Sequence, residues 1–209
     1  MNLARRLASA QRRKDQHPNI DLAIELVDGW DEDAVTELFA LLDAGPKKQR
    51  HDALKVLYEI GIRAPELLLP HFDELIDALD TRDNRILWGC IYALRSLVDH
   101  AREQLMACLP LILDAAERST IIARDKAMYI LVALASDERY HDAVTPLMLR
   151  HIETAATNQF PTYAERAEPT LRPEEAPLLI AIIEAHDGLE AHPAKRRRMD
   201  KLLRRLAAQ

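Results

Sequence analysis

The chain has 209 residues, of which 48% are hydrophobic and 30% charged, and only five are glycine. A chain of this length buries a core without disulfides, and its composition is typical of a soluble globular protein. The sequence contains no Gly-rich phosphate loop, no CxxC pair and no apolar run of membrane-spanning length. These absences argue against an enzyme with a Rossmann or P-loop nucleotide-binding fold, against a disulfide framework and against a membrane protein.

The net charge of −6 hides a strong segregation along the chain. Residues 1–16 carry five basic residues against Asp15, and residues 195–209 carry seven against Asp200. The segment 17–194 has 16 basic and 32 acidic residues, a net charge of −16. An acidic body repels a phosphate backbone, so nucleic acid would have to be contacted through the two ends. The alternative for both ends is a solvated helix face.

The basic segment 1–16 is predicted to form an amphipathic helix or an arm, with Leu3 and Leu7 four residues apart. Its Arg-rich, acid-poor composition also resembles an organelle transit peptide. The unbroken apolar region of a secretory signal does not follow it. With only two cysteines in the chain, this pattern favours a cytoplasmic protein.

An internal repeat of 37 residues predicts the fold. Segments 50–60, 87–97 and 124–134 align with a small residue at one shared position. These small residues are Ala53, Cys90 and Ala127. Apolar residues recur around them at i, i+1, i+3, i+4 and i+7, which is the stripe of a helix buried on one face.

A second helix is predicted in each unit. Leu75 matches Ile112 and Leu149 in the same register. The frame also extends backwards to a shortened unit, with helices at 18–28 and around 35–42. A two-helix unit of this length cannot bury its apolar stripe alone, so the units are predicted to stack side by side.

Over residues 17–157 the sequence resembles the HEAT-repeat family. The resemblance rests on an Arg-x-x-Ala pattern, on an acidic residue in the preceding loop and on leucine-rich second helices. The pattern occurs as Arg50 with Ala53 and as Arg124 with Ala127. The unit between them departs from it, with Leu87 at the arginine position. The resemblance implies an all-α fold, an α-solenoid of about four stacked two-helix repeats.

The repeat register is expected to fail after Thr157. The segment 158–170 contains two prolines, and further helices are predicted at 174–186 and 190–208. Solenoids need terminal caps that cover the last unit and face water. Region 158–209 is therefore predicted to be a helical C-terminal cap with a basic last helix.

The eight histidines show no HExxH spacing, and no His-Glu pair occurs, unlike in the di-iron hydroxylases among HEAT-like proteins. Asp77, Asp114 and His151 occupy equivalent positions in successive second helices, on the face expected to be concave. Stacked helices lie roughly 8–10 Å apart, so three short side chains cannot share one metal ion. We therefore expect an acidic, solvated ridge there, with neither metal nor cofactor. The other members of this acidic ridge are Asp73, Glu74 and Glu117.

Trp88 is the candidate anchor for a partner protein. In the repeat register it falls where the other units carry polar residues, so we expect the indole to be partly exposed. Asp83 and Arg85 would give it the polar rim that is typical of an interaction hot spot. The alternative is that the indole fills the volume left by Gly89.

No catalytic constellation is evident, because there is no GxSxG elbow and both Cys90 and Cys108 fit structural positions. We therefore predict a non-catalytic scaffold that presents an acidic solenoid surface to a partner protein, preferably a basic one. The alternative is a nucleic-acid-binding protein, or an enzyme that resembles the HEAT-like alkylpurine DNA glycosylases, acting through the basic ends. The candidate contact residues of the last helix are Arg196, Arg197, Arg198, Lys201, Arg204 and Arg205.

Overall fold

The computed structural model describes residues 3–208. These residues form eleven α-helices and several 3₁₀ turns with no β-strand, which confirms the predicted all-α fold. The helices are α1 (His17–Asp28), α2 (Glu32–Ala44), α3 (Lys47–Arg63), α4 (Phe72–Asp77), α5 (Asn84–Ser96), α6 (Arg102–Glu117), α7 (Ile121–Ala135), α8 (His141–Glu153), α9 (Phe160–Ala167), α10 (Ala176–Glu184) and α11 (Pro193–Leu206).

The repeat period appears directly in where the first helices begin. Helices α3, α5 and α7 start at residues 47, 84 and 121, each 37 residues after the last. The shared small position is fully buried in all three, at Ala53, Cys90 and Ala127. The predicted first helices are therefore confirmed, while the stacking of the units into a solenoid stays a prediction.

The second helices α2, α4, α6 and α8 also form, and α4 is the shortest of them, with six residues. Pro65 and Pro70 lie in two 3₁₀ turns before it, because proline lacks the N–H that an α-helix interior requires. Pro110 and Pro146 are instead accommodated inside α6 and α8. The prolines thus affect the length of the second helices without changing the 37-residue period at which the first helices begin.

The N-terminal segment differs from the predicted amphipathic helix. Its regular structure is a single 3₁₀ turn, Leu3–Arg5, followed by irregular turns up to α1. Leu3 and Leu7 are nevertheless buried, as their spacing suggested. An isolated helix of this length is marginal in water. The conformation of the segment is therefore fixed by its tertiary contacts.

A buried polar network attaches this segment to α1 and α3. The backbone N–H of Ala8 donates to Asn19 Oδ1 at 2.9 Å, and that of Ser9 donates to Asp52 Oδ2 at 2.8 Å. Asn19 Nδ2 in turn donates to Asp52 Oδ1 at 2.9 Å. Asn19 and Asp52 are both buried, so they satisfy backbone groups that the missing helix would otherwise have paired.

A helix forms after Thr157, in the segment where the repeat register was expected to fail. Helix α9 occupies part of the segment expected to be irregular, with Pro161 in its first turn, where proline is tolerated. Ala164 lies 37 residues after Ala127 and is also fully buried, so the small position recurs once more. The two further helices predicted after it are present as α10 and α11.

The chain divides into two compact units, Met1–Ala127 and Met128–Gln209. In the first unit α3 is central and packs against α1, α2 and α5. In the second unit α8 packs against α9 and α10, and α11 packs against α9 and α10. Among residues 3–208, no helix has both the length and the apolar character needed to cross a lipid bilayer.

Helices α3 and α5 approach closely at Gly89. A methyl group at Gly89 would lie 2.5 Å from Leu54 Cδ2 and 2.8 Å from Leu54 Cγ. Leu54 is 1% exposed and has little room to move away. The absence of a side chain at this position is therefore a packing requirement of the first unit.

We expect Gly89→Ala to destabilise the protein, because the clash outweighs the better helix propensity of alanine. Overpacking costs about 1–3 kcal/mol, whereas alanine gains about 1 kcal/mol in a helix interior. In a Leu54→Ala background the clash disappears, and the same substitution should become neutral or stabilising. Urea unfolding of the four proteins of this cycle measures the difference. Equal costs in both backgrounds would show that the contact is not responsible.

Candidate functional site

Trp88 is half-buried, in agreement with the partial exposure expected of it. Its indole lies against the Tyr58 ring on α3, with centroids 5.6 Å apart and planes tilted by 50°. The volume beside Gly89 is occupied by Leu54, so the indole is not needed to fill it. Tyr58 also packs on Tyr92, at 4.9 Å, so Trp88 belongs to a supported aromatic row rather than standing alone.

Asp83 is committed to contacts within the protein. It caps α5 by accepting the backbone N–H of Arg85 at 3.0 Å, and it hydrogen-bonds His51 Nε2 at 2.8 Å. Lys47 Nζ lies 3.4 Å from the same carboxylate. Desolvation raises the pKa of Asp83, but the bonds from His51, the backbone and Lys47 outweigh it and lower the pKa to about 2. Asp83 thus organises the start of α5 and has little capacity left for a partner.

The acidic ridge is exposed at Asp73, Glu74, Asp77, Asp114 and Glu117. Two of these carboxylates are paired locally: Glu74 with His71 Nδ1 at 2.9 Å, and Asp114 with Arg118 Nε at 2.8 Å. His151 does not follow the expected pattern, because it is 5% exposed and stacks on Tyr163. In the part of the chain that the structure describes, no three His, Cys, Asp or Glu side chains are grouped to hold a metal ion.

The basic helix α11 docks through an apolar face. Met199, Leu202 and Leu206 are buried. Arg198 Nε donates to Glu165 at 3.0 Å, and Arg205 Nε donates to Glu168 at 2.7 Å, which ties α11 to the end of α9. This arrangement is what a cap requires, with apolar side chains inward and charges outward.

The other basic residues of α11 are divided between internal pairing and solvent. Arg196 contacts Asp200 at 3.0 Å and Glu190 at 2.7 Å. Arg204 Nε donates to the Asp200 carbonyl at 3.1 Å. Arg197 and Lys201 are exposed. Three of the seven basic side chains at this end, Arg196, Arg198 and Arg205, are therefore paired with carboxylates of the second unit.

The two cysteines occupy structural positions. Burial raises the pKa of Cys90 to about 12, so the nucleophilic thiolate is not formed near neutral pH. Cys108 is half-buried, and burial together with the charge of Asp73 raises its pKa as well. The positive charge of Arg50 lowers the pKa of Cys90, but the effect of burial is larger.

A groove of about 730 Å³ lies between α8 and α10 in the second unit, and the sequence did not reveal it. Its apolar lining includes Pro146 and Leu149 from α8 and Leu178 and Ile182 from α10. Leu178, in the first turn of α10, is a large apolar side chain that is 54% exposed. The carboxylates that line the groove are Asp142, Glu153 and Glu175, and Arg150 is the basic residue of the lining.

A buried histidine holds one of these carboxylates in place. His141 is 3% exposed, and its Nδ1 hydrogen-bonds the Ala135 carbonyl at 2.7 Å. Its Nε2 lies 2.9 Å from both carboxylate oxygens of Glu175. Desolvation lowers the pKa of His141, but the bonds to Ala135 and Glu175 prevail and raise the pKa above its ordinary value. The imidazolium form is therefore stabilised next to the groove.

No family model matches the chain, and no curated protein matches it. Among solved structures, the chain is similar to an engineered protein whose crystal structure was determined by the Northeast Structural Genomics Consortium. The two share 17% sequence identity, the match covers 100% of each chain, and the TM-score is 0.63. At this identity the likeness concerns the fold alone.

The His141–Glu175 pair should make stability depend on pH. Because folding raises the pKa of His141, its contribution is complete below the unfolded pKa of about 6.5 and is lost as pH rises through the folded pKa. Glu175→Gln should remove most of this effect, at a cost of about 1.5–3 kcal/mol at acidic pH and less at alkaline pH. Urea unfolding across this range measures it. Glu153→Gln, an exposed change on α8, is the matched control, and parallel pH profiles for the two variants would contradict the assignment.

Apolar burial should stabilise α11 more than its ion pairs do. Met199→Ala is expected to cost about 2–5 kcal/mol, because Met199 is fully buried. Removing the two pairs to α9 with Arg198→Gln and Arg205→Gln should cost less, since exposed pairs contribute about 0–1 kcal/mol each. Thermal unfolding followed by circular dichroism compares them. A larger loss in the arginine variant would show that charge, not packing, attaches the helix.

Proposed function

We propose that this protein is a non-catalytic protein-binding module whose α8–α10 groove receives an amphipathic, basic helix or peptide. The observation that carries the proposal is an apolar groove, partly open to solvent, whose lining also carries three carboxylates. Binding sites in proteins are typically concave and largely apolar, with a few polar groups that orient the partner.

Exposed apolar side chains support this assignment. Leu178 in the groove is 54% exposed, and Pro146 of the lining is also exposed. Large apolar residues exposed along a groove, next to polar groups, mark an interaction surface more often than an isolated exposed leucine does. A helix that places leucine-like side chains against Leu178 and Ile182 would remove this surface from water.

Charge favours a basic partner. Two carboxylates of the lining are paired within the protein, Asp142 with Arg172 at 2.7 Å and Glu175 with His141 at 2.9 Å. The third, Glu153, is exposed, and residues 17–194 carry a net charge of −16. Like charges oppose an acidic partner, whereas a basic one gains in both association rate and specificity. Lysines or arginines beside the apolar face of the partner would lie near Glu153, which is exposed at the end of α8.

We further propose that the helix pairs form a HEAT-like array, and that the acidic ridge and Trp88 of the first unit form a binding surface of their own. The 37-residue spacing of helix starts and the recurrent buried small residue support a repeat architecture. Two unpaired cysteines suit a reducing compartment such as the cytoplasm. A role of α11 in binding nucleic acid has less support, because Arg196, Arg198 and Arg205 are engaged with acidic side chains.

Site-specific cross-linking tests the proposal. A photo-reactive benzophenone residue replaces Leu178 in the groove or, as the control, Leu111, which is 58% exposed on α6. In nuclease-treated lysate of the source cells, we expect a cross-linked protein from position 178 and not from position 111. The cross-linked segment, mapped by mass spectrometry, should be amphipathic and basic.

Affinity measurements with that segment complete the test. Leu178→Glu should weaken its binding roughly tenfold or more, because it introduces a charge into the apolar contact. Leu111→Glu should leave the affinity unchanged. An acidic cross-linked segment, cross-linking from both positions, no cross-linking at all, or equal affinities of the two variants would each overturn the proposal.

A further inference from the structure

A second, chemically different pocket lies in the first unit. It has a volume of about 460 Å³ and opens between the N-terminal segment, α3 and α5. Its lining contains no apolar residue and only one carboxylate, that of Asp52. The basic residues of the lining are Arg12, Arg13, Lys14, Lys48 and Arg85. In a chain whose body is strongly acidic, five cations at one concave site are an unusual concentration of charge.

The N-terminal cations are held in place rather than left on a loose arm. The network of Asn19 and Asp52 fixes the backbone at Ala8 and Ser9, and the N–H of Arg13 donates to the Ala8 carbonyl at 3.0 Å. Arg12 has a φ of 57°, in the left-handed region. A non-glycine residue persists there only when its surroundings determine the conformation. The turn that contains residues 12–14 therefore has a defined conformation.

The other two cations occupy the same repeat position. Lys48 is the second residue of α3, and Arg85 is the second residue of α5, 37 residues later. The first turn of a helix is the positive end of its dipole and favours anions. Two adjacent helices thus contribute a side-chain cation from their first turn to one pocket, and the repeat brings the two together.

Most of this charge is not neutralised within the protein. Arg13 Nε contacts Asp15 at 3.0 Å. Both oxygens of Asp52 already accept hydrogen bonds, from Ser9 N–H and Asn19 Nδ2. Across residues 3–208 the remaining cations of the lining form no ion pair. These four are Arg12, Lys14, Lys48 and Arg85. Like charges around a single pocket repel one another, and a bound anion would relieve that repulsion.

One residue of the lining, Ser9, has an unused hydrogen-bonding group. Ser9 Oγ is buried from solvent and has no hydrogen-bond partner in the described chain. Buried polar atoms are nearly always hydrogen-bonded, so an unpaired buried hydroxyl indicates that a ligand or another group supplies its partner. A hydroxyl can donate to an anionic oxygen, which no apolar ligand would offer. This observation is independent of the cluster of charges.

We infer that this pocket binds a compact oligophosphate anion, with Arg12, Lys14, Lys48 and Arg85 as its cations and Ser9 as a neutral donor. Guanidinium and ammonium groups form strong charge-assisted bonds with phosphate oxygens. Several cations around one pocket match an anion with several adjacent phosphates better than a single phosphate. No apolar residue type lines the pocket, so we infer that the phosphate chain itself is what the pocket recognises.

A nucleic-acid strand fits this pocket less well than a compact anion. Its phosphates extend along a backbone, with one charge every ~1.7 Å of duplex axis, so most would lie outside the pocket. Outside it they would meet the body of the chain, which has a net charge of −16 over residues 17–194. The compact anion avoids that repulsion.

Calorimetric titration with sodium tripolyphosphate, in phosphate-free buffer at low salt, tests the inference. The full chain should bind it at one site, more tightly than pyrophosphate and inorganic phosphate, in that order. The double variant Lys48→Gln, Arg85→Gln should weaken binding roughly tenfold or more. Ser9→Ala, which removes only the hydroxyl, should weaken it several-fold.

The matched control is Arg197→Gln, Lys201→Gln, which removes the same charge from exposed positions on α11. It should leave the affinity for tripolyphosphate unchanged, and thermal unfolding confirms that every variant is folded. Absence of binding, equal affinity for sulfate and tripolyphosphate, or equal losses in the two double variants would overturn the inference. If a single-stranded oligonucleotide bound more tightly than tripolyphosphate, and the Lys48→Gln, Arg85→Gln variant lost that binding, the inference of a compact anion would be overturned in favour of nucleic acid. None of these outcomes depends on the α8–α10 groove, so failure of one proposal leaves the other standing.

Discussion

Each helix pair of this protein has an apolar stripe that it cannot bury by itself, and neighbouring helices must approach closely to cover it. A small residue that leaves room for such an approach recurs at one position of α3, α5, α7 and α9: Ala53, Cys90, Ala127 and Ala164 are all fully buried. At Gly89 the helices α3 and α5 are so close that any side chain there would meet Leu54. Helix length can vary around these points, as the short α4 shows, without disturbing the register.

Charge is distributed differently in the fold than along the chain. At the C-terminal end Arg196, Arg198 and Arg205 are paired with carboxylates, and at the N-terminal end Arg6 and Arg13 are paired with Glu25 and Asp15. Arg12 and Lys14 instead join Lys48 and Arg85 in the lining of one pocket. The two ends therefore differ in that the N-terminal segment lies beside cations contributed by two helices.

The two candidate binding sites also differ in kind. The α8–α10 groove combines exposed apolar side chains with carboxylates, which suits a basic, amphipathic partner. The basic pocket offers only polar and charged groups, which suits a compact anion. His141 next to the first site and Asp52 in the second are both buried polar residues that orient their surroundings, and neither is part of the repeat pattern.

The sequence by itself determined the all-α class, the 37-residue period and the first helices, because helical burial leaves a strict apolar spacing around Ala53, Cys90 and Ala127. It also indicated correctly that Trp88 is partly exposed. It missed α9, because two prolines masked a helix that tolerates one of them in its first turn. Only the tertiary structure decided that the N-terminal segment folds without an α-helix, that His151 is buried and that Lys48 meets Arg12 at one pocket. Those outcomes depend on contacts between residues far apart in the chain, and periodicity reports only which face of a helix is apolar, not what packs against it.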